Sequence, residues 1–374
     1  MMDNSGKMVS KITLVVNRDF LTRSPVEIIS ELGVKAMGHV TGRAPVLNEN
    51  RGVFKKIFRR TGGILQRPID IITFLVEKEL ELQALQLVAE RFKLNISGSG
   101  SVYSEKVSVF KSSGGLKVNT ELSEPAKKMS MPSQLTGICC IVLRGEGDSV
   151  GRIALETGSC VPAITFGQGA GLRDRLGLWR ITVPAEKEIV TMIVNSFEAE
   201  EIMNIIVDTI RLDQPGKGFI YQFPVSRGLI NMKVSSESRS QAASMEQVII
   251  AVDDLKGGTE WRRRRLSTLH SEKRRKLWGG LSEIALSCDE GAGEEYIKLA
   301  MDAGAPGATV TGFRCITDKA SEISPAREKC SMIVSAKDAR RIVKELDKAG
   351  VFSDGAHNDL VIRPVPGAFS YSVL

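Results

Sequence analysis

The chain has 374 residues, 42% of them hydrophobic and 25% charged, with a formal net charge of +7. That length supports two to three domains with sizeable cores, and a modest positive balance suits anionic partners. No apolar run approaches the ~18 residues of a membrane span, which argues against membrane insertion. The opening apolar stretch, Ile12 to Val16, is too short for a secretory signal and runs into Asn17-Arg18-Asp19, so a soluble, cytoplasmic protein is expected.

Lys11 to Val16 reads as a short strand. Ser24-Pro25 opens a helix, with Ser24 as cap, Pro25 at the first helical position and Glu27 closing a capping box; Gly33 ends it. A strand carrying Thr41 follows, then a long basic loop from Arg51 to Arg67 and a strand ending Phe74-Leu75-Val76. Leu80, Ala84, Leu87 and Val88 then share one helical face before the turn Ser97-Gly98-Ser99-Gly100 and the strand Ser101-Val102-Tyr103.

This order returns twice at nearly steady spacing. The first-helix stops Glu31-Leu32-Gly33, Glu156-Thr157-Gly158 and Asp302-Ala303-Gly304 each lead into a strand with a Thr: Thr41, Thr165 and Thr311. Phe74-Leu75-Val76 is matched by Met192-Ile193-Val194 and Met332-Ile333-Val334. The last strands are Ser101-Val102-Tyr103, Phe219-Ile220-Tyr221 and Leu360-Val361-Ile362. Ile202, Ile205, Ile206 and Ile210 form a helical stripe in the second copy, as do Ala339, Ile342, Val343 and Leu346 in the third. Internal repetition of this kind takes precedence over other readings. The expected organisation is repeat one at 10–110, a polar linker at 111–135, repeat two at 136–232, a linker at 233–280 with an extra strand (248–252) and a basic helix, and repeat three at 281–374. Strand 248–252 is either an addition or the first strand of the third copy.

Each copy reads βαββαβ, the ferredoxin-like arrangement, whose sheet leaves one face uncovered. The fold expected is α+β, three ferredoxin-like repeats packed as an intramolecular pseudo-trimer, and a monomeric chain.

In the second copy Ile164-Thr165-Phe166-Gly167-Gln168-Gly169-Ala170-Gly171-Leu172-Arg173 is followed, after the second helix, by Leu212-Asp213-Gln214-Pro215-Gly216-Lys217-Gly218. This resembles PII-type nitrogen regulatory proteins, trimers of ferredoxin-like subunits that bind ATP or ADP in the clefts between subunits. The resemblance implies a non-enzymatic signal-transduction regulator of nitrogen or other metabolism. It would sense adenine nucleotide and control a protein partner, a transporter or metabolic enzyme. The positions carried over are Gly169, Gly171, Arg173, Gly216, Lys217, Gly218 and Arg227, glycine allowing backbone N–H groups to converge on phosphate. The family's lysine after the second turn glycine is Phe219 here and its loop-base amide is Arg173, so 2-oxoglutarate binding is not implied. Pro45 and Cys315 stand in place of Gly169 in the other copies, which implies one nucleotide site rather than three.

The alternative is a nucleic-acid-binding protein that uses ferredoxin-like sheets and the basic segment 259–278, where Arg262-Arg263-Arg264-Arg265 and Lys273-Arg274-Arg275-Lys276 carry the charge excess. Nucleic acid is disfavoured because single-strand binders present aromatic residues on their strands, and only 5% of this chain is aromatic. Cys139 and Cys140 point to opposite faces of a strand, and the other four cysteines are scattered as small core residues of a reduced protein. His39, His270 and His357 are isolated. No metal spacing and no catalytic constellation is found, so no enzyme activity and no tightly bound cofactor is expected.

Overall fold

Along a strand, alternate side chains point to opposite faces, and in this protein the two faces have different partners. The computed structural model describes residues 6–47, 64–96, 98–112, 117–157, 160–171, 186–230, 275–317, 323–353 and 355–371. Strand 248–252, the runs Arg262–Arg265 and Lys273-Arg274, and most of the basic loop 51–67 lie outside them. The first stretch runs β1 (Lys7–Asn17), α1 (Pro25–Glu31), β2 (Ala36–Leu47), β3 (Ile64–Val76), α2 (Glu81–Arg91), β4 (Gly100–Ser112) and a short β5 (Val118–Asn119). The second is β6 (Leu135–Leu143), α3 (Gly147–Thr157), β7 (Ala163–Gly171), β8 (Glu186–Asn195), α4 (Ala199–Ile210), β9 (Gly218–Val225) and β10 (Arg227–Leu229). The third is β11 (Leu281–Asp289), α5 (Gly293–Asp302), β12 (Gly307–Thr317), β13 (Ala326–Ser335), α6 (Ala336–Lys348), β14 (Asp359–Val365) and β15 (Gly367–Ser370).

The expectation of three ferredoxin-like α+β repeats packed as a pseudo-trimer is corrected by the sheet. Among the described residues all fifteen strands join one sheet, and helix accounts for only 25%. The ladders run from β2 through β3, β1, β4, β14, β11, β13, β12 and β7, then return to β2 at the Arg43–Ile164 pair, closing a nine-strand antiparallel barrel. β8, β6, β9 and β15 continue the sheet from β7, and β10 pairs with β4. The physical reason lies at the edges. A short separate sheet leaves two rows of unpaired N–H and C=O groups, whereas edge-to-edge joining satisfies them and curls the uncovered face inward.

The outward face carries the helices. Ile12, Leu14 and Val16 of β1 meet Ile29 of α1 and Leu85 and Val88 of α2 in one apolar cluster. Ile138, Cys140 and Val142 lie under Val150 of α3 and Ile202 and Ile206 of α4. Ile284, Leu286 and Cys288 lie under Ile297 of α5 and Ile342 and Leu346 of α6. Burying each such side chain contributes about 1.5–3 kcal/mol. The intervening positions, such as Lys11 and Thr13 of β1 or Cys139 and Ile141 of β6, line the interior. The capping box expected at Ser24 is not formed, since its side chain makes no cap hydrogen bond. Ser335 does cap its helix, its hydroxyl accepting from Asp338 N at 3.1 Å.

Candidate functional site

The inward positions line a cavity of about 260 Å³. Charge concentrates on one part of its wall, where β1, β4, β11, β13 and β14 contribute Lys11, Glu105, Glu283, Lys329 and Arg363. Register places them together: Lys11 is opposite Glu105, and Glu283 is opposite Arg363. Arg363 bonds both Glu105 and Glu283. Its Nη2 donates to the Tyr221 hydroxyl at 3.4 Å, and its guanidinium sits 3.9 Å from the Phe223 ring centre, a cation–π contact. Lys11 Nζ lies 3.1 Å from Glu105.

Each charge is held by its neighbours. Burial works against ionised Glu105, but Arg363 and Lys11 outweigh it and bring its pKa to about 2. Glu283 is likewise lowered, with burial opposed chiefly by Arg363 and Lys329. Burial disfavours the Arg363 cation too, yet Glu105 and Glu283 raise its pKa well above the ordinary value. Lys329 differs. It keeps exposed surface and lines the cavity. Burial, then Lys11, lower its pKa, with Glu283 pulling the other way. Among the described residues its ammonium has neither an ion pair nor a hydrogen bond. Thr311 and Ser287, opposite it on the two neighbouring strands, line the same cavity.

Lys11, Lys329 and Arg363 stand against Glu105 and Glu283, so these five side chains carry one positive charge in excess. Such a surface can hold an anion through an unengaged ammonium beside hydroxyl groups. Among the described residues it offers no activated nucleophile of the thiol or phenol type. Burial raises the pKa values of Cys139 and Tyr221, and takes that of Tyr103 well above the usual phenol range, so all three remain protonated near neutrality.

The residues expected to bind nucleotide fall in different places. Gly169 and Gly171 lie in β7, paired with Thr309 and Gly307 of β12. A Cβ at Gly171 would meet nothing within 4 Å, so no close approach demands glycine there. Gly216 and Gly218 have φ of +77° and +145°. At Gly218 a Cβ would come 2.2 Å from the carbonyl oxygen of Ile141, so packing against β6 requires this glycine. Lys217 is paired with Glu146 at 2.9 Å. The adjoining start of α3 is filled by the protein itself, Glu188 accepting from Gly145 N at 3.1 Å and Gly147 N at 2.7 Å. Arg227 begins β10, opposite Ser104 of β4, and Arg173 lies outside the described residues.

Reading the sequence for motifs passed over the interior set, because its members are single residues from five strands. The available signal was charge at inward parity, as at Lys11 beside Thr13 and Val15 and at Glu283 beside Ala285.

No family model and no curated protein matches the chain. Among solved structures, an anthrone oxidase-like protein aligns with 66% of this chain and 100% of its own at 8% identity, with a TM-score of 0.19. A p-cresol methylhydroxylase with substrate bound aligns with 91% of this chain and 62% of its own at 9% identity, with a TM-score of 0.17. Scores this low carry no argument about fold or activity. The closed barrel conflicts with the ferredoxin-like fold implied by the resemblance. Among the described residues no helix is long and apolar enough to cross a membrane.

Proposed function

We propose that the barrel interior binds a small anionic metabolite, a short organic acid, and that the protein is a non-catalytic binding protein. The observation that carries this reading is the Lys329 ammonium, unengaged among the described residues and facing an internal cavity. An ammonium that lines a cavity without a protein partner can take a charge-assisted bond from a ligand carboxylate. The volume supports a small ligand: at about 260 Å³ it falls below the ~300–1,000 Å³ of pockets that take drug-sized molecules. Inward-facing aromatics such as Tyr103 and Tyr221 are unavailable for stacking nucleic-acid bases.

Adenine nucleotide at the Gly216-Lys217-Gly218 turn is the second reading. It is favoured by the positive φ of both glycines and opposed by the Lys217–Glu146 pair. One experiment separates the two: thermal unfolding of the full chain with inorganic phosphate, short mono- and dicarboxylates, and ATP. A ligand specific to the folded state stabilises by about 2.7 kcal/mol at a hundredfold excess over Kd. Stabilisation is expected with a carboxylate and is expected to disappear in Lys329→Met. Stabilisation by ATP alone, lost in Lys217→Ala, would favour the turn. No response to any of these ligands overturns both.

A further inference from the structure

The third strand of each stretch carries a carboxylate at the same place in the ladder. Asp70 is opposite Val16, Glu188 opposite Val142, and Glu328 opposite Cys288. Two residues further along that strand stand Ile72, Val190 and Cys330. In the first two stretches the carboxylate lies beside aliphatic side chains and is neutralised by an arginine. Arg18 grips Asp70 with two bonds of 2.7 Å, and Arg43 reaches Glu188 at 2.7 Å. In the third stretch both aliphatic positions are cysteine, and the arginine is missing. Among the described residues Glu328 has no ion pair; its carboxylate accepts from Gly293 N at 3.1 Å. The neighbouring Arg327 is committed to Asp289.

The two thiols and the carboxylate lie within 4.8 Å of one another. We propose that Cys288, Cys330 and Glu328 form a binding site for a thiophilic divalent cation of the zinc class. Zinc takes thiolate sulfur at about 2.3 Å and carboxylate oxygen at about 2.0 Å, so the three donors need to draw in by a fraction of their spacing. Gly293 leaves them room: a Cβ there would lie 2.5 Å from Glu328 Oε2 and 2.8 Å from Cys330 Sγ. The cation supplies the positive charge that Arg18 and Arg43 supply at the equivalent positions. Binding releases one proton from each thiol, leaving two thiolates and one carboxylate around the metal, with the start of α5 offsetting the remaining negative charge. Glu328 is only partly buried, which opens a path for the ion. Cys288 and Cys330 are far apart in sequence and meet only across β11 and β13, so no ligand spacing announces the site.

The test is a cobalt(II) titration of the full chain, reduced and stripped by a chelator. A thiolate-to-cobalt charge-transfer band is expected, saturating at one equivalent and bleached by zinc. Replacing both cysteines, Cys288→Val with Cys330→Val, recreates the pair Val142 and Val190 of the second stretch and should abolish the band. Glu328→Gln should weaken cobalt at least tenfold and leave the band in place. Cadmium NMR of the unsubstituted protein should report two sulfur ligands, a readout independent of how any variant folds. Absence of a stoichiometric band, or a band undiminished in the double variant, overturns the proposal.

Discussion

Arg363 is the residue on which the interior charges depend. It contacts Glu105 and Glu283 together, and both carboxylates are almost fully buried. Arg363→Met should lower the free energy of unfolding by about 3–5 kcal/mol, because it leaves buried carboxylates without their main partner. Urea denaturation at neutral pH measures this. The deficit should shrink on acidification, and the sign follows from Glu105. Its folded pKa of about 2 lies below the ~4.3 of an unfolded glutamate, so its contribution is complete above ~4.3 and lost as pH falls through about 2. The variant lacks that depression and so has less to lose in acid. Lys329 acts in the opposite pH direction. Its pKa is lowered by burial, so affinity for an anionic ligand should fall as pH rises through a range below the ordinary lysine value of ~10.4. Calorimetric titration at increasing pH checks this, and pH-independent affinity would place the ligand away from Lys329. Gly218→Ala should destabilise the fold by more than about 1 kcal/mol, since it meets both the φ of +145° and the Ile141 carbonyl. Unfolding without any ligand shows whether that glycine serves packing.

At the level of elements, local pattern carried real information and its limit is visible in two serines. Ser24 and Ser335 each precede a helix, yet only the Ser335 hydroxyl accepts from a backbone amide, that of Asp338. Ser335→Ala is therefore expected to cost about 1 kcal/mol and Ser24→Ala much less, a contrast that paired thermal unfolding can resolve. The apolar stripes Ile202, Ile205, Ile206, Ile210 and Ala339, Ile342, Val343, Leu346 could be read from spacing and are buried, because a helix face needs only its own period to be recognised. The alternation of Ile12, Leu14 and Val16 with Lys11, Thr13 and Val15 was equally visible. What alternation cannot say is whether the second set meets water or an enclosed space, since that depends on strands hundreds of residues away. Nothing local to Lys329 or Arg363 therefore marks either as lining a cavity. Cys288 and Cys330 read as two scattered thiols, and nothing in the sequence ties Glu328 to them.

At the scale of the molecule, the decisive fact is that each stretch completes its neighbours' ladders. β4 pairs with β14 from the third stretch and with β10 from the second, while β15 pairs with β9. At the other end of the strands β12 pairs with both β2 and β7. The repeated strand–helix pattern was legible in the sequence, but these seams were not, because edge strands carry no motif naming their partner. The seams decide how the protein unfolds. Separate domains would give separable transitions, whereas strands whose backbone groups are satisfied by another stretch lose them when that stretch opens. Thermal and urea unfolding of the full chain should thus be a single transition, coincident by far-ultraviolet dichroism and tryptophan fluorescence. The fragment 136–232 supplies a sharper test. Removed from the chain, it exposes the β7 edge that faces β12 and the β9–β10 edge that faces β15 and β4, along with inward apolar residues such as Tyr221 and Phe223. Open edges of this length favour association. The fragment is expected to be unfolded or to aggregate at micromolar concentration, as read by gel filtration and dichroism. A soluble monomeric fragment with a cooperative transition would mean that the closed sheet is dispensable for folding, and that the cavity forms by docking of units that are stable on their own.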